Sequence, residues 1–143
     1  MTKLRDDYRN ILGSFPKKSP LNAKVTGKLD GSSYRVEKVL FESLPNHHVT
    51  ALLYLPANGD GPWPGVLFAC GHSANGKAYP PYQTACALLA QNGFVVLSYD
   101  PISQGERTQL PKAARYGTTT HTLLNHGARL TGRSVVWYSA WDG

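Results

Sequence analysis

From Pro64 to Asp100 the apolar positions come in two dense blocks rather than in alternation: Val66-Leu67-Phe68-Ala69-Cys70 and Phe94-Val95-Val96-Leu97-Ser98-Tyr99. Between them lie a glycine-bearing stretch, Gly71-His72-Ser73-Ala74-Asn75-Gly76-Lys77, and a segment of helical length, about Pro81 to Asn92. Short apolar strands without polar alternation, joined through a helix, are expected where neighbouring parallel strands are covered on both faces. The pattern predicts a βαβ unit. In open α/β sheets the turns after the strands gather at their carboxyl ends, where ligands bind. Candidate functional residues are therefore sought at Gly71 to Lys77 and Asp100 to Arg107.

Ahead of this unit, Thr2 to Leu12 predicts a short helix, with Thr2 as its cap, Leu4, Tyr8, Ile11 and Leu12 on one face, and Gly13 as its stop. Phe15-Pro16 and Ser19-Pro20 predict an extended lead-in, because a residue before proline is pushed out of the helical region. After a turn at Asp30-Gly31-Ser32-Ser33, the stretches Tyr34 to Glu42 and His48 to Leu55 read as strands joined through Pro45-Asn46, an antiparallel hairpin. Ala57 to Pro62 reads as a surface loop.

Beyond Asp100, about eighteen residues up to Thr118 carry no clear period, a length that marks a functional lid or wall, or a missing partner. Thr119 to Leu130 predicts a helix ended by Gly132, and a second starts near Ser134, with Val136 over Ala140 and Trp137 over Trp141. That last helix has only begun at Gly143, and its tryptophans face no predicted surface. The reading is one partial domain over 1–143, with a helix and lead-in at 1–33 and core elements at 34–143.

A chain of 143 residues suffices for one domain and one core. Its 41% hydrophobic and 17% charged content argues against disorder and against a membrane protein, and no apolar run approaches the roughly 18 residues of a span. The charged start, Met1-Thr2-Lys3-Leu4-Arg5, is not a secretory signal. A cytoplasmic location is the expectation, although a removed signal peptide would leave no trace. The formal charge of +6 is spread along the chain without a basic run, so neither a nucleic-acid partner nor a membrane partner is expected. Cys70 and Cys86 fall in a predicted buried strand and helix and read as reduced core residues.

Five segments, Leu12-Gly13-Ser14-Phe15-Pro16, Pro20-Leu21-Asn22-Ala23, Tyr34-Arg35-Val36-Glu37-Lys38, Cys70 to Lys77 and Tyr99-Asp100-Pro101-Ile102-Ser103-Gln104-Gly105-Glu106-Arg107, resemble the acetyl xylan esterase-like branch of the α/β-hydrolase superfamily. The resemblance covers nearly the whole chain, and Gln104-Gly105-Glu106-Arg107 is its most specific part. Ser103 departs from it, standing where the family pattern commonly has glycine, a change expected to stiffen the turn after Asp100. The fold implied is the N-terminal half of an α/β-hydrolase: an antiparallel hairpin, a βαβ unit and helices, with the sheet incomplete. The family's strand order puts the strand at Phe94 to Tyr99 between the hairpin and Val66 to Cys70. The latter is then an open apolar edge of the kind natural sheets avoid. Homo-oligomerisation through that edge, or capture of a complementary fragment, is the partner expectation.

In such enzymes a serine on a Gly-x-Ser-x-Gly elbow attacks an ester, a histidine takes its proton and an acid orients the histidine. The elbow follows the family's fifth strand, which the sequence does not reach, so nucleophile, acid and base are expected outside it. What the resemblance leaves here is the turn after the third strand, which lends a backbone N–H to the oxyanion hole, worth about 3–4 kcal/mol per donor. By position that donor is His72, with Ser73 as neighbour and Gly71 allowing close backbone approach; Asp100 and Gln104 are the accompanying binding residues. The substrate implied is a small acyl ester, with no cofactor and no metal. Alternatives are a non-catalytic, self-associating fragment and a minimal esterase using Ser73.

Each candidate has a plainer role. Ser73 sits in Gly71-His72-Ser73-Ala74-Asn75-Gly76, a strand-to-helix turn like a nucleophile elbow, but the second glycine comes one residue late and Tyr79-Pro80-Pro81 delays the helix. A local hydrogen-bonding role is favoured. His72 can be a general base, or only a side chain of the oxyanion loop, and the second is favoured. The adjacent His47 and His48 must point to opposite faces, and His121 and His126 miss the i,i+4 spacing of paired ligands, which disfavours metal binding. For Asp100, the plainer role is to hold the following loop together with Glu106 and Arg107. Gly71, Gly76 and Lys77 fail the spacing of a phosphate loop.

Overall fold

The computed structural model describes residues 2–112 and 117–143. Helix α1 (Thr2–Leu12) stops as predicted at Gly13, which takes φ +82° and closes its N–H onto the Arg9 carbonyl at 2.9 Å. Leu4, Tyr8 and Ile11 on this helix are exposed. The chain then runs extended to β1 (Lys24–Asp30), a strand that the sequence reading places within the lead-in. The reason is physical: six of its seven residues are exposed, so no buried period marks it. It is held by its ladder to the next strand, from Lys24 opposite Leu40 to Asp30 opposite Arg35, with a bulge between Val25 and Gly27.

Strands β2 (Tyr34–Leu44) and β3 (His47–Pro56) form the expected antiparallel hairpin. Its turn at Pro45-Asn46 puts Asn46 at φ +62°, a conformation asparagine tolerates. The βαβ unit follows: β4 (Gly65–Ala69), a 3₁₀ turn at Gly76–Ala78, α2 (Pro80–Gln91) and β5 (Val95–Tyr99). Two prolines open α2, where their missing N–H groups cost nothing, and Gly93 at φ +86° turns the chain into β5. β4 and β5 pair in parallel from Gly65 opposite Val95 to Ala69 opposite Tyr99.

The sheet order is β1-β2-β3-β5-β4. β5 thus lies between the hairpin and β4, and β4 is an edge, as the family order implies. Helix α2 covers one face, where Val36, Tyr54, Cys86, Ala90 and Val96 are buried together. On the other face Phe41, Val49, Ala51 and Tyr99 form a smaller cluster. Burial on both faces, predicted for both parallel strands, holds for β5 only. In β4, Val66 and Phe68 pack toward α2 whereas Leu67 is 50% exposed, because an edge strand with one helix beside it has one covered face.

Helices α3 (Gly117–Leu130) and α4 (Val135–Asp142) are tied together by Asn125, whose side-chain oxygen accepts the Val135 N–H at 3.1 Å. Ser134 caps α4 by accepting the Trp137 N–H. Part of the predicted long loop, 113–116, lies outside the described residues.

The tryptophans of α4 correct the sequence reading. Trp137 is buried, and the Phe15 ring lies 5.4 Å from both Trp137 and Trp141. The Trp137 indole N–H donates to the Ser14 carbonyl at 3.2 Å, and that of Trp141 to the Ser43 carbonyl at 2.6 Å. The surface that the sequence pattern does not predict is the lead-in, over 120 residues earlier in the chain. Both cysteines are free, Cys86 buried and Cys70 half-buried just past β4. Among the described residues no helix is long and apolar enough to cross a membrane.

Candidate functional site

Asp100 follows the last residue of β5 and keeps the sheet pairing one step further, its N–H donating to the Thr50 carbonyl at 2.9 Å. Its carboxylate is fully buried, and a buried carboxylate must be hydrogen-bonded or paired. Oδ1 accepts the Lys77 N–H at 2.8 Å; Oδ2 accepts the Thr50 hydroxyl at 2.6 Å and the Glu106 N–H at 3.3 Å. The Lys77 ammonium, itself buried, bridges Asp100 and Glu106. Gly76 and Gly105 press on the same carboxylate at φ +53° and +56°. A Cβ on either would lie 2.1 or 2.2 Å from Asp100 Oδ1. One carboxylate thus locks the turn after β4 to the loop after β5.

Gln104 adds a second clasp, its buried side-chain oxygen accepting the Ser73 N–H. The holding role predicted for Asp100 and Glu106 is present, but the cation between them is Lys77, not Arg107. Arg107 spans a separate buried cluster. Its guanidinium donates to the Asp100 carbonyl at 2.9 Å and to the Asp142 carboxylate at 2.7 Å, and meets His47 at 2.9 Å. Asp142 also accepts the Ser43 hydroxyl at 2.6 Å and lies 3.4 Å from His47. Burial by itself would raise the Asp142 carboxyl, but the adjacent His47, the Arg107 charge and the Ser43 hydroxyl outweigh it and hold the carboxyl below the ordinary carboxylate range.

His72 lies on the exposed turn, and its imidazole Nε2 is 2.8 Å from Nδ1 of His121 on α3. His121 Nε2 is 2.5 Å from the Ile102 carbonyl oxygen. A carbonyl only accepts, so His121 carries its proton on Nε2, and its Nδ1 accepts from His72 Nε2–H. His121 as partner of His72 was missed by the sequence reading, since the two stand 49 residues apart and share no motif. His47 and His48 diverge as predicted, His47 to Arg107 and Asp142, His48 to Glu42. Among the described residues no group of three or more His, Cys, Asp or Glu is placed to hold a metal ion.

The Ser73 hydroxyl accepts the Asn75 N–H at 3.2 Å, a local turn bond. No acceptor among the described residues takes the His72 N–H. A Cβ on Gly71 would lie 2.8 Å from the Tyr82 hydroxyl, so a side chain there would displace the tip of Tyr82. Beyond the ends of β4 and β5 opens a cleft of about 460 Å³ lined by Gly71, His72, Tyr99, Gln104, His121 and Ser139. Cys70 borders it, but its thiol bonds Ser98 at 3.3 Å and is pushed up by burial, so it stays protonated.

No sequence-family model and no curated protein matches the chain. Solved structures do. A Bacteroides fragilis protein assigned as an acetyl xylan esterase superposes over 98% of this chain with a TM-score of 0.81 at 22% identity. A methylesterase superposes over 93% at 0.68 and 22% identity, and an acetyl xylan esterase from Paenibacillus sp. R4 over 61% at 0.50 and 20% identity. The chain spans 39%, 32% and 28% of their respective lengths. Strand order, the parallel β4-α2-β5 unit and these likenesses together assign the chain part of an α/β-hydrolase fold.

Proposed function

We propose that these residues form the oxyanion side of a carboxylic-ester hydrolase acting on small acyl esters, with the His72 N–H as donor and the nucleophile, acid and base supplied by segments other than these 143 residues. The observation that carries this reading is the His72 N–H, which no acceptor among the described residues takes, on a turn clamped from behind. Its neighbour Ser73 has its own N–H held by Gln104, and Gly76 and Lys77 are fixed by Asp100. An oxyanion donor works because it is already oriented when charge develops, so rigidity of this turn is the property the chemistry needs. Esterases among the structures of like fold support the reaction class. Ser73 fits the nucleophile role less well, since its hydroxyl serves the turn and the His72 imidazole faces His121.

The test is hydrolysis of a small activated acetate ester. The chain alone should show no turnover above background; turnover abolished by Ser73→Ala would overturn the reading and make this turn the nucleophile elbow. In a chimaera that places these residues on the remainder of the Bacteroides fragilis structure, His72→Pro removes the N–H. It should lower kcat by about 10²-fold or more. An undiminished kcat would reject His72 as the donor.

A second reading, a self-associating chain without turnover, is favoured by one observation: β4 is an apolar edge strand with Leu67 half exposed. Both readings hold if the edge pairs with a copy of the chain whenever the completing strand is absent.

A further inference from the structure

We propose that His72 and His121 form a two-histidine site for a divalent late transition metal of the Zn²⁺ class, clipping the turn after β4 to helix α3. The inference uses the imidazoles, not the His72 N–H, and stands apart from the ester-hydrolase reading.

The geometry is close to that of a chelate. The ring centroids are 4.8 Å apart. With Zn–N bonds of about 2.0–2.1 Å, two imidazoles bound at about 100° have centroids about 4.9 Å apart, so the rings need to tilt but hardly to separate. Their facing nitrogens, now 2.8 Å apart, would open to about 2.9–3.3 Å for ligand angles of about 90–109°.

Protonation states also suit a metal. Metal-binding histidines usually donate the far ring N–H to a carbonyl or carboxylate, which fixes the tautomer and the ring. His121 already does so toward Ile102, leaving Nδ1 as a lone pair aimed at His72. His72 would present its Nε2 lone pair by carrying its proton on Nδ1, which its exposure to water permits. The remaining coordination positions open toward the cleft beside them and are filled by water. Imidazole donors select Zn²⁺, Cu²⁺ or Ni²⁺ over Mg²⁺ and Ca²⁺, which prefer oxygen. The Cys70 thiol, protonated and engaged with Ser98, is not a third ligand.

Sequence spacing conceals the site because its two donors lie on a turn and on a distant helix.

The test is titration of the purified chain with Zn²⁺, read by heat and by imidazole nitrogen NMR. One equivalent should bind, with the His72 and His121 ring signals moving together and those of His48 and His126 still. His121→Ala should weaken binding about tenfold or more, while His48→Ala and His126→Ala leave it within about twofold. The NMR arm needs no variant, so a misfolded His121→Ala does not blunt the test. Unmoved His72 and His121 signals under saturating Zn²⁺, or an affinity indifferent to a folded His121→Ala, would overturn the proposal.

Discussion

The Asp100 carboxylate occupies the space that a side chain on Gly76 would fill: a Cβ there would lie 2.1 Å from Oδ1. Neither partner can give way, because Asp100 is fully buried and fixed by Lys77, Thr50 and Glu106. Gly76→Ala must therefore bear both a left-handed alanine, about 1–2 kcal/mol, and an overpacked core, about 1–3 kcal/mol more. Gly13 is the internal control, since it also has positive φ but nothing within 4 Å of its Cβ position. Chemical denaturation should show Gly76→Ala losing at least about 1 kcal/mol more than Gly13→Ala; equal losses would mean that the Asp100 clamp yields.

Ser103 offers the opposite change. It sits at φ +72° with a buried hydroxyl that finds no hydrogen-bond partner among the described residues. Its backbone is well held, with the N–H shared between the Arg107 carbonyl and the Gln109 side chain. Ser103→Gly removes the conformational strain and the unsatisfied hydroxyl together, against a more flexible unfolded chain. A gain of about 1 kcal/mol is expected by denaturation, and a loss would mean that the hydroxyl has a partner such as buried water.

Acid stability should report on Asp142. A carboxylate in the last turn of a helix is unfavourable toward the helix dipole, so its presence there is explained by Arg107, His47 and Ser43. Its folded pKa is depressed, so its contribution is full above the unfolded value of about 3.9 and is lost as pH falls through the folded value. In that window the unfolded chain binds more protons than the folded one, and stability rises with pH. Asp142→Asn should cost about 3 kcal/mol at neutral pH, by leaving Arg107 buried and underpaired, and should flatten the stability profile below about pH 4. An unchanged acid limb would remove Asp142 from the account.

These outcomes bear on what was legible in the sequence. Dense apolar blocks such as Phe94 to Tyr99 announced the βαβ unit because a strand covered on both faces has no polar alternation to hide it. β1 was invisible for the converse reason: its exposed residues are held by backbone bonds, which leave no side-chain pattern. At the site, Gly71, Asp100 and Gln104 could be singled out by their place after strand ends. Lys77 as the buried bridge and His121 as the partner of His72 could not, since each pairing joins segments 23 or more residues apart. Ser103 was legible as a departure from glycine, and the positive φ supplies the physical reason.

The β4 edge makes a hydrodynamic prediction. Its residues Gly65 to Ala69 carry no charge, and nothing among the described elements pairs its outer side. Natural edges are blunted by charged residues, lysine above all. Sedimentation of the purified chain should show a dimer or larger species, and Leu67→Lys, at a position 50% exposed, should shift it toward monomer with the fold intact. A monomer at all concentrations would defeat the edge-pairing argument.

The contact between the two ends of the chain can be tested through the indoles. Phe15 stacks on Trp141 and lies over Trp137, whose N–H is bound by Ser14, so the lead-in is the lid on both tryptophans. Helix α1 lies outside that lid, with Leu4, Tyr8 and Ile11 exposed. Removing residues 2–12 should therefore leave tryptophan emission and acrylamide quenching almost unchanged. Removing residues 2–16 should shift the emission to the red and raise quenching severalfold. Phe15→Ala, which keeps the Ser14 carbonyl but takes away the ring, should fall between the two and cost about 2–3 kcal/mol, less than a fully buried phenylalanine because Phe15 is 37% exposed. If the longer deletion leaves the emission where it was, the indoles are covered by something other than the lead-in, and the packing of α4 against Ser14 and Phe15 is wrong.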